Sequence, residues 1–389
     1  MSPAFAAARH APFAGRQIRV MVVDDAVVAR RVVMRWVEAE ADMTITAALR
    51  TGREAVEQIE HSDPDVVLLD VDMPELDGIA ALPLLLDKKP GLLVIMVSTL
   101  TRRSAELSMR ALSLGATDYI PKPETNYEVM TSADFRRELI EKIRSLGRRR
   151  VAAREFASPD DMALRRARLL RPATRASGAT SATAPGFTLR PFAAVPPRVL
   201  VVGSSTGGPQ ALTSLIGNLG SAIDRAPVLI TQHMPPTFTT VLAEHLSRAS
   251  GRNVHEANDG EPIAPGGIYL APGGRHMRVE GDDDGPRIAL GNDGAINFCK
   301  PAVDPLFSSA AAWWGAGTLG LILTGMGSDG TQGAADIVAG GGSVIAQDEA
   351  TSVVWGMPRS AVLAGLCAAV LPLDQLAAKV GALFSGAGS

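Results

Sequence analysis

Residues 18–25 read IRVMVVDD, a short apolar run that ends in two aspartates. A similar run at residues 66–69 ends in Asp70, and a third run occupies residues 92–97. Between the first two runs, residues 27–39 carry apolar side chains at helical spacing. Continuous apolar runs that alternate with helices predict a parallel sheet that is covered by helices on both faces.

The second half of the chain repeats this alternation. Residues 198–202, 228–230 and 319–323 are apolar runs, and each is followed by a polar or glycine-rich turn. The sequence therefore predicts an α/β protein with two doubly wound domains. The sheet of the second domain is expected to be mostly parallel.

Length and charge place the boundary between the two domains. A chain of 389 residues predicts two or three domains. The net charge is −4 over residues 1–145, +7 over residues 146–197 and −6 over residues 198–389. The middle stretch is rich in Ala, Thr, Ser and Pro, which favours a solvated tether over a nucleic-acid contact. We expect a tail at 1–17, a first domain at 18–145, a basic linker at 146–197 and a second domain at 198–385.

Composition excludes several classes of protein. With only two cysteines, Cys299 and Cys367, the chain has neither a disulfide framework nor a four-cysteine zinc site, and it fits a reducing compartment. No apolar run approaches the roughly 20 residues that span a bilayer. The tail contains no sustained apolar core, so it does not read as a signal peptide. We expect a cytoplasmic protein without membrane insertion.

Polar side chains follow the predicted strands of the first domain. They are Asp24, Asp25, Asp70, Ser98 and Lys122. Because ligands bind at the carboxyl ends of parallel strands, these side chains are expected to meet at one edge of the sheet. Carboxylates at such an edge suit Mg²⁺, and an ionised aspartate can attack a phosphoryl group. A turn or a helix cap is the alternative for any single aspartate.

These motifs make the first domain resemble the receiver domain of two-component response regulators, which has a flavodoxin-like parallel sheet. The matching segments are Val22-Val23-Asp24-Asp25, Asp70-Val71-Asp72-Met73-Pro74 with Asp77-Gly78, Val97-Ser98 and Lys122-Pro123.

The resemblance assigns roles to individual residues. It implies Asp70 as the phosphoacceptor, and Mg²⁺ held by Asp24, Asp25, Asp70 and the backbone carbonyl of Asp72. It implies Ser98, Tyr119 and Lys122 as the residues of the receiver switch. It also implies a cis peptide bond between Lys122 and Pro123.

The second domain begins with a strand and a turn of sequence GSSTGG at residues 203–208. A dinucleotide loop would need a second glycine that is absent, and a phosphate loop would need a lysine where Pro209 stands. The turn does fit G-x-S-x-G between a strand and a helix, which presents Ser205 as a nucleophile. A purely structural turn is the alternative.

A serine nucleophile needs a base and an acid that orients the base. His233 follows the apolar run at residues 228–230, so it is expected at the same sheet edge as Ser205; His276 is its rival. Asp329 lies in the glycine-rich turn after residues 319–323, with Asp304 and Asp348 as weaker rivals. Backbone N–H groups of such a turn could stabilise an oxyanion.

These segments resemble the catalytic domain of the chemotaxis protein-glutamate methylesterases. The matching segments are 203–208, Thr231-Gln232-His233-Met234-Pro235, 271–277, Lys300-Pro301-Ala302-Val303-Asp304 and 323–330. The resemblance implies a Ser205–His233–Asp329 triad, with Thr206 beside the nucleophile and the Met326 backbone N–H as an oxyanion donor. It implies no cofactor in this domain.

Together the two resemblances imply a phosphorylation-activated esterase. Its substrate would be the glutamate γ-methyl ester of methyl-accepting chemoreceptors, with methanol as product and receptor glutamine as a second substrate. A sensor histidine kinase would be the phosphodonor. A receiver fused to a DNA-binding output is one alternative, which the acidic second half disfavours. A catalytically dead scaffold of the same fold is another.

Overall fold

A computed structural model describes residues 17–123, 125, 131–155 and 187–386. The predicted tail up to residue 16 and most of the predicted linker lie outside these residues. The chain divides into two compact units. The first holds residues 17–98, 119–123, 125 and 131–155, and the second holds residues 99–118 and 187–386.

The first sheet has five strands in the order β2-β1-β3-β4-β5. The strands are β1 (Ile18–Val23), β2 (Met43–Leu49), β3 (Val66–Asp70), β4 (Leu93–Thr99) and β5 (Asp118–Lys122). The pairs β1–β2, β1–β3 and β3–β4 are parallel. This strand order is that of flavodoxin-like folds, so the prediction for the N-terminal fold is confirmed.

Helices separate these strands, as the spacing of apolar residues predicts. They are α1 (Val27–Glu38), α2 (Gly52–Ser62), α3 (Gly78–Lys88), α4 (Arg102–Ser113) and α5 (Ala133–Glu155). Side-chain caps begin four of them: Thr51, Asp77, Thr101 and Ser132 each accept a hydrogen bond from the backbone N–H three residues later. Such caps satisfy N–H groups that have no partner within the helix.

The second sheet has seven strands in the order β14-β13-β12-β6-β7-β9-β8, and every strand pair in it is parallel. The strands are β6 (Val199–Ser204), β7 (Val228–Gln232), β8 (Val254–Glu256), β9 (Ile268–Leu270), β12 (Thr318–Ile322), β13 (Ser343–Gln347) and β14 (Ala369–Leu371). The antiparallel hairpin of β10 (His276–Asp282) and β11 (Gly285–Gly291) stands apart from this sheet. The predicted mostly parallel sheet is confirmed.

Helices pack on both faces of the second sheet. They are α6 (Gly208–Asn218), α7 (Phe238–Ser250), α8 (Val303–Trp314), α9 (Thr331–Ala339), α10 (Met357–Leu363) and α11 (Leu373–Phe384). The core on one face joins strand residues such as Val201 to Phe307 of α8, and both side chains are fully buried. None of the helices in the described parts of the chain is long and apolar enough to cross a membrane.

The strand order of each sheet reverses at a point near its middle. In the first sheet this point lies between β1 and β3, and in the second it lies between β6 and β12. The connections on its two sides leave in opposite directions, which opens a crevice at the carboxyl ends of the strands. Open parallel sheets bind ligands at such a crevice, so both positions are candidate sites.

Candidate functional site

An acidic cluster lies at the reversal point of the first sheet. Asp24 and Asp25 follow β1, and Asp70 is the last residue of β3. Their carboxylates offer oxygen atoms within 4.8 Å of one another. Asp24 and Asp70 are buried and Asp25 is exposed, so the cluster faces solvent on one side only.

Lys122, at the end of β5, binds this cluster directly. Its Nζ lies 2.6 Å from Asp70 Oδ2 and 3.5 Å from Asp24 Oδ2. Burial raises the pKa of Asp70 to about 7, and the charge of Asp24 adds to the rise although Lys122 opposes it. Burial lowers the pKa of Lys122, but the two carboxylates outweigh this effect and raise it. The carboxylates thus carry more negative charge than one lysine neutralises.

The donor set of this cluster fits a hard divalent cation. Mg²⁺ is bound through one or two carboxylates together with water and phosphate oxygens. Here two buried carboxylates and an exposed one converge, and burial raises the pKa of Asp70, so a cation bound beside it would favour its ionised form. Asp72 is exposed two residues beyond Asp70, and the role of its carbonyl stays a prediction.

The other residues predicted for the receiver switch are buried. Ser98 is 2% exposed and Tyr119 is 3% exposed. Lys142 Nζ donates to the Tyr119 carbonyl at 2.6 Å and lies 5.3 Å from the centre of its ring. The predicted cis bond between Lys122 and Pro123 is wrong: the cis bond found among the described residues is Lys300–Pro301. The trans form is the favoured one for X–Pro bonds by about 0.5–1 kcal/mol.

The nucleophile candidate Ser205 lies directly after β6, at the reversal point of the second sheet. Its backbone N–H donates to the Thr324 carbonyl at 3.0 Å, which ties it to the segment after β12. A Cβ atom on Gly325 would lie 2.8 Å from Ser205 Cβ, so only glycine fits there without a shift. Gly207, with φ of +75°, then allows the turn into α6.

His233 and Asp329, the residues predicted as base and orienting acid, are in direct contact. His233 Nε2 lies 2.7 Å from Asp329 Oδ2. The same carboxylate accepts hydrogen bonds from the backbone N–H of Val303 at 2.6 Å and from Asn297 Nδ2 at 3.2 Å. Burial raises the pKa of Asp329, but these hydrogen bonds outweigh it and lower the pKa to about 2. Asp329 is therefore a fixed anion.

A tight turn at residues 296–299 brings the thiol of Cys299 to His233. Ile296 and Cys299 exchange backbone hydrogen bonds of 3.1 and 2.8 Å. The two residues between them, Asn297 and Phe298, both have positive φ, at 51° and 64°. Asparagine tolerates this backbone conformation, whereas phenylalanine is strained in it. Cys299 Sγ lies 3.3 Å from His233 Nδ1.

The two nitrogens of His233 therefore have different partners. Nε2 is bound to Asp329, which leaves Nδ1 as the nitrogen that could accept a proton from Ser205. Within residues 187–386, Ser205 Oγ makes no hydrogen bond to His233, and Cys299 holds Nδ1 instead.

The protonation of His233 follows from these contacts. Burial lowers the pKa of His233, but the hydrogen bonds to Asp329 and Cys299 raise it to about 10. The imidazole thus holds a proton at neutral pH while Cys299 is in contact with it. Ligand atoms of His233, Cys299 and Asp329 lie within 4.8 Å of one another. We assign no metal to them, because Cys299 and Asp329 bind opposite edges of the ring.

The rival residues have other partners. His276 is fully buried, its Nδ1 accepts from the Ala302 N–H at 3.1 Å, and its Nε2 lies 3.0 Å from the Gly294 carbonyl. It therefore binds both ends of the segment that carries the 296–299 turn. Asp348 accepts hydrogen bonds from Thr351 within its own loop.

Asp304 is a neighbour of the pair and does not bond to His233. Its Oδ1 accepts from the Gly333 N–H at 2.8 Å, and its Oδ2 accepts from Asn297 Nδ2 at 3.1 Å. Asn297 therefore bridges Asp304 and Asp329. Burial, with the nearby charge of Asp329, raises the pKa of Asp304 to about 6.

Three site residues were not predicted: Gln232, Asn297 and Cys299. Gln232 accepts from Ser204 Oγ at 2.6 Å and donates to the carbonyls of Ser205 and His233 at 3.0 and 3.1 Å. It therefore fixes the ends of β6 and β7 relative to each other. A buried glutamine at a strand end, next to the predicted base, was the signal that could have identified it.

The remaining predicted residues lie near the nucleophile. Thr206 is 3% exposed, and its carbonyl accepts from Thr324 Oγ1 at 2.8 Å. Met326 is half-buried in the turn between β12 and Asp329. Their predicted roles beside the nucleophile and as oxyanion donor stay predictions.

Comparisons with known proteins match each half of the chain to a family. The response regulator receiver domain model matches residues 20–134, and the CheB methylesterase model matches residues 200–380. A protein-glutamate methylesterase/protein-glutamine glutaminase of Rhodopseudomonas palustris (strain HaA2) is 59% identical over 389 residues, covering 99% of this chain and 97% of the relative. A protein-glutamate methylesterase/protein-glutamine glutaminase of group 2 operon from Bradyrhizobium diazoefficiens is 58% identical. The match covers 95% of this chain and 94% of the relative. The crystal structure of the Thermotoga maritima CheB methylesterase catalytic domain is 42% identical, with a TM-score of 0.47, and covers 49% of this chain and 100% of that chain.

Proposed function

The chain belongs to the family of protein-glutamate methylesterases/protein-glutamine glutaminases, and we propose that Ser205 is the nucleophile with which it hydrolyses its substrate. The protein is a carboxyl-ester hydrolase controlled by a receiver domain. Its reaction demethylates glutamate γ-methyl esters on chemoreceptors and releases methanol. The same site would deamidate receptor glutamines with loss of ammonia, because amide and ester pass through similar tetrahedral intermediates.

The first chemical step is attack of Ser205 Oγ on the ester carbonyl. His233 accepts the serine proton at Nδ1, once Cys299 has left that nitrogen, and Asp329 stabilises the resulting imidazolium through Nε2. The tetrahedral intermediate collapses with loss of methanol, and His233 donates the proton to the leaving oxygen. Water, activated by the same base, then hydrolyses the acyl-enzyme.

The developing oxyanion requires donors on the other side of the serine. The backbone N–H of Met326 is our candidate, because the segment after β12 contacts Ser205 through Thr324 and Gly325. Preorganised backbone donors in such turns contribute roughly 10²–10³ in kcat. Thr206 is proposed to border the same space.

Control is proposed to act through Asp70 as the phosphoacceptor. Asp24, Asp25 and the Asp72 carbonyl would join Asp70 in holding Mg²⁺, which when bound would neutralise negative charge on the incoming phosphoryl group. Lys122 would bind a phosphoryl oxygen, and its contact with Asp70 at 2.6 Å supports this role. Ser98 and Tyr119 would respond to the phosphorylated state.

The partners follow from these two reactions. A sensor histidine kinase would supply the phosphoryl group, and the cytoplasmic domains of methyl-accepting chemoreceptors would be the substrate. We therefore propose action in the cytoplasm, without contact to nucleic acid. The 2.7 Å contact of His233 with Asp329, at the sheet edge that also carries Ser205, is the observation on which the assignment of the hydrolytic site rests.

Methanol release from methylated receptor membranes tests the assignment. The purified full-length protein is assayed with and without a small phosphodonor and Mg²⁺. Ser205→Ala should abolish release, whereas Ser328→Ala, an exposed serine beside Asp329, should keep it. Asp70→Asn should remove the increase caused by the phosphodonor. Equal release by Ser205→Ala and the wild type would refute the nucleophile, and absence of release with any cognate receptor would favour the dead scaffold.

A further inference from the structure

The 296–299 turn places a nucleophilic sulfur on the catalytic base. Cys299 is half-buried, and its Sγ lies 3.3 Å from His233 Nδ1 and 3.4 Å from the Asn297 carbonyl. The backbone bonds between Ile296 and Cys299 fix the start and end of the turn. His276 in turn binds the chain on both sides of it, at Gly294 and Ala302. The position of the sulfur is therefore built into the fold.

This contact competes with catalysis. Because Asp329 binds Nε2, the proton of Ser205 can pass only to Nδ1, where Cys299 already lies. A free thiol can rotate away from the nitrogen when substrate enters. A sulfur that carries an added oxygen is larger and is a stronger hydrogen-bond donor than a thiol, so it would keep its hold on Nδ1.

We propose that Cys299 is a site of reversible oxidation by hydrogen peroxide or organic hydroperoxides, and that its sulfenic acid switches the esterase off. The site and its chemistry rest on the geometry of the turn. Only the activity readout rests on the proposed function.

The oxidation is balanced by the peroxide alone. The Cys299 thiolate attacks one peroxide oxygen, the O–O bond breaks, and hydroxide leaves and takes the proton from His233 Nδ1 to become water. Sulfur is oxidised by two electrons and the peroxide is reduced by two. The new S–O–H group donates to His233 Nδ1. Two external thiols reverse the step: the first forms a mixed disulfide with loss of water, and the second releases Cys299 as a thiol.

The environment of Cys299 favours this chemistry, and that of Cys367 does not. Cys299 is half-buried, and its Sγ lies 3.3 Å from His233 Nδ1, which can take the thiol proton when the sulfur attacks. Cys367 is 1% exposed, and burial raises the pKa of its thiol to about 12. Cys367 is thus a matched internal control, and the chain has no third cysteine.

The experiment exposes the full-length protein to limiting hydrogen peroxide and then removes the peroxide with catalase. One part is labelled with dimedone, which traps sulfenic acids, and is mapped by mass spectrometry. Another part is assayed for methanol release with phosphodonor and Mg²⁺, before and after dithiothreitol. Wild type, Cys299→Ser and Cys367→Ala are compared, each against its own untreated activity.

We expect the dimedone adduct on Cys299 and not on Cys367. Activity of the wild type and of Cys367→Ala should fall about 100-fold or more, the scale on which general bases contribute, and dithiothreitol should restore it. Cys299→Ser should keep most of its own untreated activity. If that variant is poorly folded, labelling and thiol rescue of the wild type still decide the question.

Three outcomes would overturn the proposal. These are an adduct absent from Cys299, equal loss in Cys299→Ser and the wild type, and loss that dithiothreitol does not reverse. Equal loss in both proteins would point to methionine oxidation, whereas loss that dithiothreitol does not reverse would point either to that or to irreversible oxidation of cysteine to the sulfinic acid. An untreated wild type that releases no methanol would refute the proposed function instead, while the dimedone labelling would still decide whether Cys299 is oxidised.

Discussion

The two sites of this chain occupy equivalent positions in their sheets but differ in how fully they are assembled. In the first, Asp70 and Lys122 are already in contact at 2.6 Å. In the second, the base and its orienting acid are bonded, whereas the nucleophile and the base are not. Opposite charges hold the first site together, and it requires only a cation and a phosphodonor.

The difference lies in what each crevice must hold at rest. The phosphoacceptor aspartate has to be reached only by a small phosphodonor. The charged side chains around it can therefore keep fixed positions. An esterase serine has to be reached by a side chain on another protein, and here a sulfur occupies the base until that happens. The comparison therefore predicts that substitutions in the bonded pair of His233 and Asp329 reduce activity most. Substitutions at other positions should have progressively smaller effects.

The largest effect is expected for Asp329→Asn. The amide cannot balance the charge of the imidazolium at His233, so kcat should fall roughly 10⁴-fold, as it does in other triads. Asp348→Asn is the matched control, because the Asp348 carboxylate accepts a hydrogen bond from Thr351 within its own loop. Initial rates of methanol release measure kcat for both variants. A loss under tenfold for Asp329→Asn would show that the bonded pair of His233 and Asp329 does not carry out the catalysis.

The same carboxylate should contribute to acid stability. Its folded pKa of about 2 lies below its ordinary value of 3.8. The stabilisation is therefore present above about pH 4 and is lost as the pH falls through about 2. Thermal unfolding midpoints should be measured between pH 2 and pH 6. As the pH is lowered, they should decrease less steeply in Asp329→Asn than in Asp348→Asn.

A smaller effect is expected for Asn297→Ala. Its amide binds both Asp304 and Asp329, so its removal loosens the orienting acid without deleting it. We expect kcat to fall about 10- to 100-fold, the scale reported for residues that orient a ligand through hydrogen bonds. Asn218→Ala, at the exposed end of α6, is the control. Unchanged kcat in Asn297→Ala would show that the backbone donors alone hold Asp329.

The first site should respond to pH through Mg²⁺ affinity. The pKa of Asp70, about 7, means that below neutrality the cation must displace a proton. Affinity should rise about tenfold from pH 5 to pH 6 and level off above pH 7. Calorimetric titration measures it, and Asp70→Asn should give a weaker and flatter profile. A flat wild-type profile would mean that Asp70 is ionised throughout this range.

The smallest effects are expected for Phe298→Gly. Phe298 is 79% exposed and has a φ of 64°, which costs a side-chain-bearing residue about 1–2 kcal/mol. Glycine removes this strain, so thermal unfolding should shift upward. If the ring instead contacts the receptor, KM should rise several-fold while kcat stays within twofold. Phe298→Ala removes the ring but keeps most of the backbone strain, so it separates the effect of the ring from the effect of the strain. An unchanged KM in both variants would exclude a role of Phe298 in receptor recognition.

Much of the fold could be predicted because each strand is a continuous apolar run. For the same reason, Asp24, Asp70, Ser205 and His233 could be placed at strand ends, and the rule for parallel sheets brought them together. The 296–299 turn could not be predicted in this way. Cys299 reaches His233 across 66 residues through a loop that has no periodic pattern. The same loop is bound by His276, whose hydrogen bonds to the backbone of Gly294 and Ala302 are visible only in the structure.

His276 has a consequence for how this family can diversify. Because it anchors the loop on both sides of the turn, the side chain at position 298 can change while Asn297 and Cys299 stay in register with the catalytic groups. A library of variants at position 298 alone would therefore test whether this exposed side chain contributes to receptor recognition while the catalytic groups keep their positions.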